Sequence, residues 1–326
     1  MSDRYRLLIR ETGGPDVIVR EPLGDLSPAS GEILVRQEAI GLNFIDTYHR
    51  SGLYEVPLPS GLGNEGAGIV EAVGEGVRDF SIGDRVGSFS GPLGAYATHR
   101  VIRADRAIKL PESISCDTAA AIMLKGCTAE FLIERCARVK AGDAVLVHAA
   151  AGGVGSILVP WLKAIGALVI AHAGSAEKAE TARELGADHA LSGPMDTLAS
   201  EVRSLTNGEG VAVVFDGVGA ASWPASLASV TRRGLLVTYG NASGPVPPFR
   251  ALDLTRAGSI FVTRPTLADY VSTPEEMRAS ARRLFEMIAA GHVPVRIGAR
   301  YPLSEAAAAH RDLEARRTTG STILIP

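Results

Sequence analysis

The chain has 326 residues, beyond the usual reach of one hydrophobic core, so two domains are expected. With 46% hydrophobic and 21% charged residues, it has a globular composition and not that of a disordered chain. A net charge of −3 supplies no basic field, which argues against nucleic acid as a partner.

Residues 1–124 are turn-rich, with short β-type runs at Ile33-Leu34-Val35, Gly68–Val73 and Asp84-Arg85-Val86, punctuated by Gly74-Glu75, Gly83-Asp84 and Gly91-Pro92. They predict a mostly-β domain with a partly rolled sheet. The N-terminus, MSDRYRLLIRETGG, is charged and carries no apolar signal core. Cys116, Cys127 and Cys136 are odd in number and lack C-x-x-C spacing, so no disulfide framework is expected and a reducing compartment is.

From residue 125 the rhythm changes. Apolar runs at Ala144–Ala149, Leu168–Ala173, His189–Ser192, Val211–Val218, Leu235–Gly240 and Ser259–Thr263 read as strands buried on both faces, hence parallel. Helices are predicted near 154–165 and 176–185, each followed by a glycine, Gly166 or Gly186. Pro160 falls inside the first and should bend it. The long apolar stretch from 144 to 173 is interrupted by a glycine loop and Lys163, so it reads as strand, helix, strand and not as a membrane span. The whole reads as a soluble, cytoplasmic α/β protein with no membrane partner. Segment 265–326 ends in Ser321-Thr322-Ile323-Leu324-Ile325, a β run expected to return to the first domain.

The loop Ala150-Ala151-Gly152-Gly153-Val154-Gly155 lies between the first of these strands and the helix after it. Against G-x-G-x-x-G, Ala150 takes the first glycine position. Gly152 lets backbone approach a pyrophosphate, Gly155 lets helix and strand pack closely, and the helix N-terminus offers N–H donors to phosphate. Some dinucleotide should therefore bind here. An NAD site usually ends its second strand on a carboxylate for the ribose 2′-OH. Here the segment reads Ala171-His172-Ala173-Gly174-Ser175-Ala176-Glu177-Lys178, and no carboxylate stands at the strand end itself. Ser175 can cap the next helix. Lys178 in its first turn is unfavourable unless an anion offsets it, and a 2′-phosphate is such an anion. The reading is NADPH, against which Glu177 weighs.

Several strings occur in order: Asn43-Phe44-Ile45-Asp46-Thr47-Tyr48, Arg50-Ser51-Gly52-Leu53-Tyr54, Gly63-Asn64-Glu65-Gly66-Ala67-Gly68, Leu124-Lys125-Gly126, His148–Gly155 and Phe261-Val262-Thr263-Arg264-Pro265. Together they closely resemble the NADPH:quinone oxidoreductases, the zeta-crystallin-like branch of the medium-chain dehydrogenase/reductase superfamily. The likeness runs over nearly the whole chain.

The resemblance implies a GroES-like domain over 1–124, a Rossmann doubly wound sheet over 125–264, a segment 265–326 rejoining the first domain, a cleft between them and a homodimer. It places Asn43, Asp46, Tyr48, Tyr54 and Lys125 around the nicotinamide and quinone. It places Gly152, Gly153, Val154, Gly155, Ser175, Lys178, Asn241, Phe261, Thr263, Arg264 and Arg316 around NADPH, with Asn43 and Thr128. Relatives often carry a tyrosine after the third Rossmann strand; Ser192-Gly193-Pro194 stands here, so that contact with the adenosine phosphate is expected to be missing.

Zinc alcohol dehydrogenases share this architecture but carry histidine where this chain has Asn64. No cysteine precedes Cys116, and the four-cysteine structural lobe is missing. A metal-free reaction is therefore expected. Hydride from the nicotinamide would give a hydroquinone anion, with Tyr48 and Tyr54 as candidate donors to the substrate oxygen and Lys125 beside a cofactor or substrate oxygen. Asn43 and Asp46 suit organisation of the ribose and backbone better than acid–base work, and Asp46 also suits a helix cap. Two other functions fit the same residues: reduction of the C=C bond of enals or enones, and a non-enzymatic NADPH-binding role of the crystallin or RNA-binding type.

Overall fold

The continuous apolar runs of the middle of the chain form one parallel sheet in a computed structural model that describes residues 4–326. Among the described residues, six strands lie in the order His189–Leu191, Leu168–His172, Ala144–His148, Val211–Asp216, Val230–Thr238 and Phe261–Thr263, all parallel. This is the doubly wound order, whose direction of winding reverses between Ala144–His148 and Val211–Asp216. Leu146, Ile170, Val214 and Leu236 from these strands pack with Leu198 and Trp223 from the helices.

The helices fall at Gly155–Ile165 and Ala176–Glu184. The first ends where Gly166 takes φ 92°, a left-handed conformation that costs a residue with a Cβ more than it costs glycine. Pro160 lies inside that helix and is buried. Two strand starts differ from the sequence reading, and five of the strands end one or two residues early. The last strand starts at Phe261 because Ser259 is left-handed at φ 57°, which interrupts extended chain. The fifth starts at Val230 instead of Leu235, across a register shift opposite Val211–Val213 that lets the polar run Thr231-Arg232-Arg233 be taken into the strand.

The chain separates into two compact units. One comprises the chain up to Cys127 with Val271–Ala289 and Val295–Pro326; the other comprises Thr128–Tyr270 with Ala290–Pro294. In the first, a mixed sheet of seven strands among the described residues is built on the long strand Glu32–Leu42, which pairs antiparallel with Glu65–Val73, with His99–Arg103 and with the terminal strand Ser321–Ile325. Thr322 stands opposite Leu42 and Leu324 opposite Ile40, so the C-terminal β run does return to this sheet. A core of Leu7, Ile9, Ile40, Leu42, Leu62, Tyr96, Leu303 and Leu324 joins both chain ends.

The helix Cys116–Glu130 continues into a π-helical segment, Phe131–Ala137. Cys116 and Cys127 are buried, Cys136 is half-buried, and none of the three is in a disulfide. No helix among the described residues is long and apolar enough to cross a membrane.

Candidate active site

In the first unit the helix Phe44–Ser51 begins at Asn43, whose extended backbone leaves its N–H pointing back along the helix start. The Asp46 carboxylate accepts that N–H at 2.9 Å, as an acidic third residue does at a helix N-terminus. Asp46 is wholly buried and accepts two further hydrogens, from Asn64 Nδ2 at 2.9 Å and Tyr96 Oη at 3.0 Å. Burial raises its carboxyl to about 6, and the Asn43, Asn64 and Tyr96 hydrogen bonds oppose that rise. Asp46 therefore closes the capping box at the N-cap Asn43 and is a packed node.

Asn43 is oriented from its other end. Its Nδ2 donates to Glu65 Oε2 at 2.9 Å, which turns Oδ1 away; Oδ1 is buried and has no hydrogen-bond partner. Glu65 is wholly buried, accepts the Leu124 N–H at 2.6 Å and lies 3.9 Å from Lys125 Nζ. Burial pushes the Glu65 carboxyl up, opposed chiefly by the Lys125 charge. Burial likewise pushes the Lys125 ammonium down, opposed by Glu65 and Asp46. Lys125 Nζ donates to the carbonyls of Leu42 and Ala121 at 3.3 and 3.4 Å, long bonds for a buried cation. Tyr48 is buried, and Tyr54 stands edge-on to it with ring centroids 5.2 Å apart.

Asn43, Asp46 and Lys125 thus belong to one hydrogen-bonded and charged group, with Tyr48 and Tyr54 paired on and beyond the same helix. Glu65, Asn64 and Tyr96 complete it. Of these, Glu65 and Asn64 stood inside a string that the sequence reading quoted without assigning them a contact.

In the second unit the sites cluster at the C-terminal ends of the parallel strands, where open α/β sheets bind ligands. Ala149 is left-handed at φ 49°, and its carbonyl accepts the Gly152 N–H at 2.8 Å, which closes the tight turn. A Cβ on Gly155 would collide with the Ala149 carbonyl and the Ala150 backbone, so only glycine allows this close approach of helix and strand. Ser175 caps the next helix, its Oγ accepting the Lys178 N–H at 3.3 Å. No carboxylate ends Leu168–His172, and His172 Nε2 meets the Gly193 carbonyl at 3.1 Å. These features suit a dinucleotide with a phosphorylated ribose: a cradle that a Cβ would fill, a helix start at Gly155, and a strand end without a 2′-OH acceptor.

Asn241 follows Val230–Thr238, and Arg264, after Phe261–Thr263, donates to the Thr238 carbonyl at 2.9 Å. Thr263 ends that edge strand and Phe261 begins it, 64% exposed. Thr128 is the first residue of this unit, whereas Arg316 belongs to the other, in an exposed turn after Ala306–Glu314.

Beneath the strand ends lies a group that the sequence reading did not assign. Asp216 is wholly buried and accepts from Ser222 Oγ at 2.8 and 2.7 Å, Ser226 Oγ at 2.6 Å, and the N–H groups of Val218 and Gly219 at 2.8 and 3.1 Å. His148 Nε2 meets Ser226 Oγ at 2.9 Å, while its Nδ1 is buried without a partner. Burial depresses this imidazole to about 4.

A GroES-like unit and a Rossmann unit in one chain define a medium-chain dehydrogenase/reductase. Residues 29–112 match the family described as alcohol dehydrogenase GroES-like domain, and residues 153–286 that described as zinc-binding dehydrogenase. The metal in that description finds no fit among the described residues. Asn64 donates its amide to Asp46, no cysteine lies within 153–286, and no group of three or more His, Cys, Asp or Glu among the described residues is placed to hold an ion. The chain is 47% identical to the quinone oxidoreductase of Pseudomonas aeruginosa over 98% of its own length and 99% of the relative's. It is 43% identical to a 2-haloacrylate reductase of a Burkholderia species, over 98% of each. The Escherichia coli quinone oxidoreductase, crystallised with NADPH, superposes with a TM-score of 0.95 at 44% identity, covering 99% of this chain and 100% of that one. The chain belongs to the quinone oxidoreductase family of the medium-chain dehydrogenase/reductase superfamily, and is an oxidoreductase.

Proposed function

We propose that this protein reduces quinones with NADPH, by hydride transfer and without a metal. The observation that carries the metal-free reading is Asn64: its amide is a hydrogen-bond donor to Asp46 Oδ1 at 2.9 Å, at the position where a zinc relative would need a ligand. Bound at the glycine loop, NADPH supplies the hydride. The Gly152–Gly155 backbone would hold the pyrophosphate, and Lys178 and Ser175 would meet the 2′-phosphate. In the GroES-like unit, the orphaned Asn43 Oδ1 would be an acceptor for the cofactor's ribose or amide. Lys125 and Tyr48 offer N–H and O–H groups to the substrate oxygen, where negative charge develops as hydride arrives. Tyr48 and Tyr54 present aromatic faces and edges suited to a flat, conjugated substrate.

Reduction of an activated C=C bond is the second reading, supported by the identity to the 2-haloacrylate reductase. It needs the same cofactor and the same donors at the carbonyl or carboxyl oxygen. NADPH oxidation followed with 1,4-naphthoquinone and with an enone separates the two, with NADH as control. Absence of quinone-dependent turnover would sink the first.

The reading extends to a cytoplasmic homodimer joined at the edge strand Phe261–Thr263. That strand is short, pairs on one side only, and leaves Phe261 exposed. Sedimentation equilibrium of the wild type and Phe261→Glu tests it; a monomeric wild type overturns it.

A further inference from the structure

A line of buried polar groups runs from Asp46 into the C-terminal helix Ala306–Glu314. Tyr96 Oη lies 3.0 Å from Asp46 Oδ2 and 3.0 Å from His310 Nε2. His310 Nδ1 lies 3.1 Å from Arg50 Nη1, and Arg50 clasps Glu314 with bonds of 3.0 and 2.6 Å. Arg50 Nε also donates to the Gly13 carbonyl at 3.0 Å.

The direction of every hydrogen bond in this line is determined. A guanidinium has no acceptor, so His310 Nδ1 must carry a lone pair and the ring proton must sit on Nε2. That proton is donated to Tyr96 Oη, which leaves the Tyr96 hydrogen to be donated to Asp46. Burial and the Arg50 charge depress the His310 imidazole to about 3, which keeps it neutral in this tautomer. The line cannot reverse, because its far end is a cation held by Glu314.

We infer that Tyr96 and His310 are positioning residues: they hold Asp46 as a carboxylate, which grips the Asn43 backbone N–H and so fixes where Asn43 Oδ1 is presented. The consequence for turnover rests on the reading that Asn43 meets the cofactor. The charged and titratable groups around Asp46 are Lys125 on Cys116–Glu130, Glu65 on Glu65–Val73, Tyr96 with His310 behind it, and Arg50 on Asp46's own helix. Without the Tyr96 hydrogen, the buried carboxylate binds a proton more readily. Protonation relieves the cost of burying the charge, yet leaves Asp46 fewer lone pairs for the Asn43 N–H and the Asn64 amide, so its hold on the helix start loosens while the fold as a whole does not.

The test uses the full-length protein and four variants, with two readouts against pH: deuterium exchange of the 43–46 segment, and kcat and KM for NADPH. Tyr96→Phe, close in shape, is expected to move the onset of faster exchange, and the acid limb of kcat/KM, up by about one pH unit, the effect of one lost hydrogen bond to a charged group. His310→Asn keeps an acceptor for Arg50 but loses the donor to Tyr96, and is expected to shift the same way. His310→Gln keeps a donor at the Nε2 position and is expected to stay near the wild type. Exchange that is unmoved in Tyr96→Phe, or His310→Gln behaving as His310→Asn does, overturns the inference. Should His310→Asn fail to fold, Tyr96→Phe against His310→Gln decides. Asn43→Ala separates this inference from the reading beneath it: unchanged kcat/KM there, with the exchange shift present in Tyr96→Phe, removes Asn43 from the cofactor and leaves the positioning intact.

Discussion

In the GroES-like unit the buried polar groups form a line; in the Rossmann unit they form a knot. The line passes from Asp46 through Tyr96 and His310 to Arg50 and ends at Glu314, whose side chain is 36% exposed. The knot closes on Asp216, which collects two serine hydroxyls and two backbone N–H groups, and its only loose end is the unpartnered Nδ1 of His148. The line depends on the order of its members, because each one sets the hydrogen direction of the next. The knot depends on one acceptor. Both leave a buried acceptor unused, Asn43 Oδ1 near the line and His148 Nδ1 at the knot. A unit that positions charged side chains and a unit that shapes a backbone loop thus spend their polar groups differently.

Removing the centre of the knot should have the largest effect. Asp216→Ala strands four donors in an apolar setting and is expected to lower the unfolding free energy by about 4 kcal/mol in urea titrations. A loss under about 1 kcal/mol would show that water replaces the carboxylate and that the knot is not centred on it.

Acid tests whether the His148 end of the knot is neutral. Burial depresses His148 from 6.5 to about 4, so its contribution to stability is fully present above the ordinary histidine value and is lost as pH falls through about 4. His310 behaves alike down to about 3, whereas Asp46, raised to about 6, contributes in the opposite sense: present at low pH and lost as pH rises through about 6. His148→Gln keeps a donor for Ser226 but cannot titrate. Its unfolding free energy between pH 6.5 and 4.5 should fall less steeply than the wild type's, by about 1.4 kcal/mol per pH unit. Parallel curves would mean that His148 is not held neutral by the fold.

The smallest change sharpens the division between the buried knot and the strand-end surface above it. Lys178→Ala should raise the KM for NADPH about tenfold, the loss of some 1.4 kcal/mol, and leave that for NADH unchanged. Equal effects on both cofactors would remove Lys178 from the 2′-phosphate.

Much of the Rossmann unit was legible because its signals are local. Apolar runs bounded by Gly166 and Gly186 marked the strands and helices, and Ser175 announced its cap three residues before Lys178. The strand starts at Val230 and Phe261 were misread, since a register shift and a left-handed Ser259 follow from packing and not from propensity. The polar groups were less legible. Glu65 and Asp216 each stand at an end of an apolar run, a signal for a buried carboxylate that was there to be used. Tyr96 and His310 are 214 residues apart and give none.

The sequence by itself determined a glycine loop between strand and helix, a second strand ending without a carboxylate, and an asparagine where zinc relatives carry histidine. Each of these is a property of neighbouring residues, so short-range geometry suffices to read it. Only the tertiary structure decided that Asp46 faces three donors instead of solvent, that Asn43 Oδ1 is buried without a partner, and that the C-terminal helix reaches Asp46 through His310 and Tyr96. Those facts depend on which distant side chains burial forces together. Inside a low-dielectric core a polar group must find a partner, and the chain supplies it from wherever the fold allows.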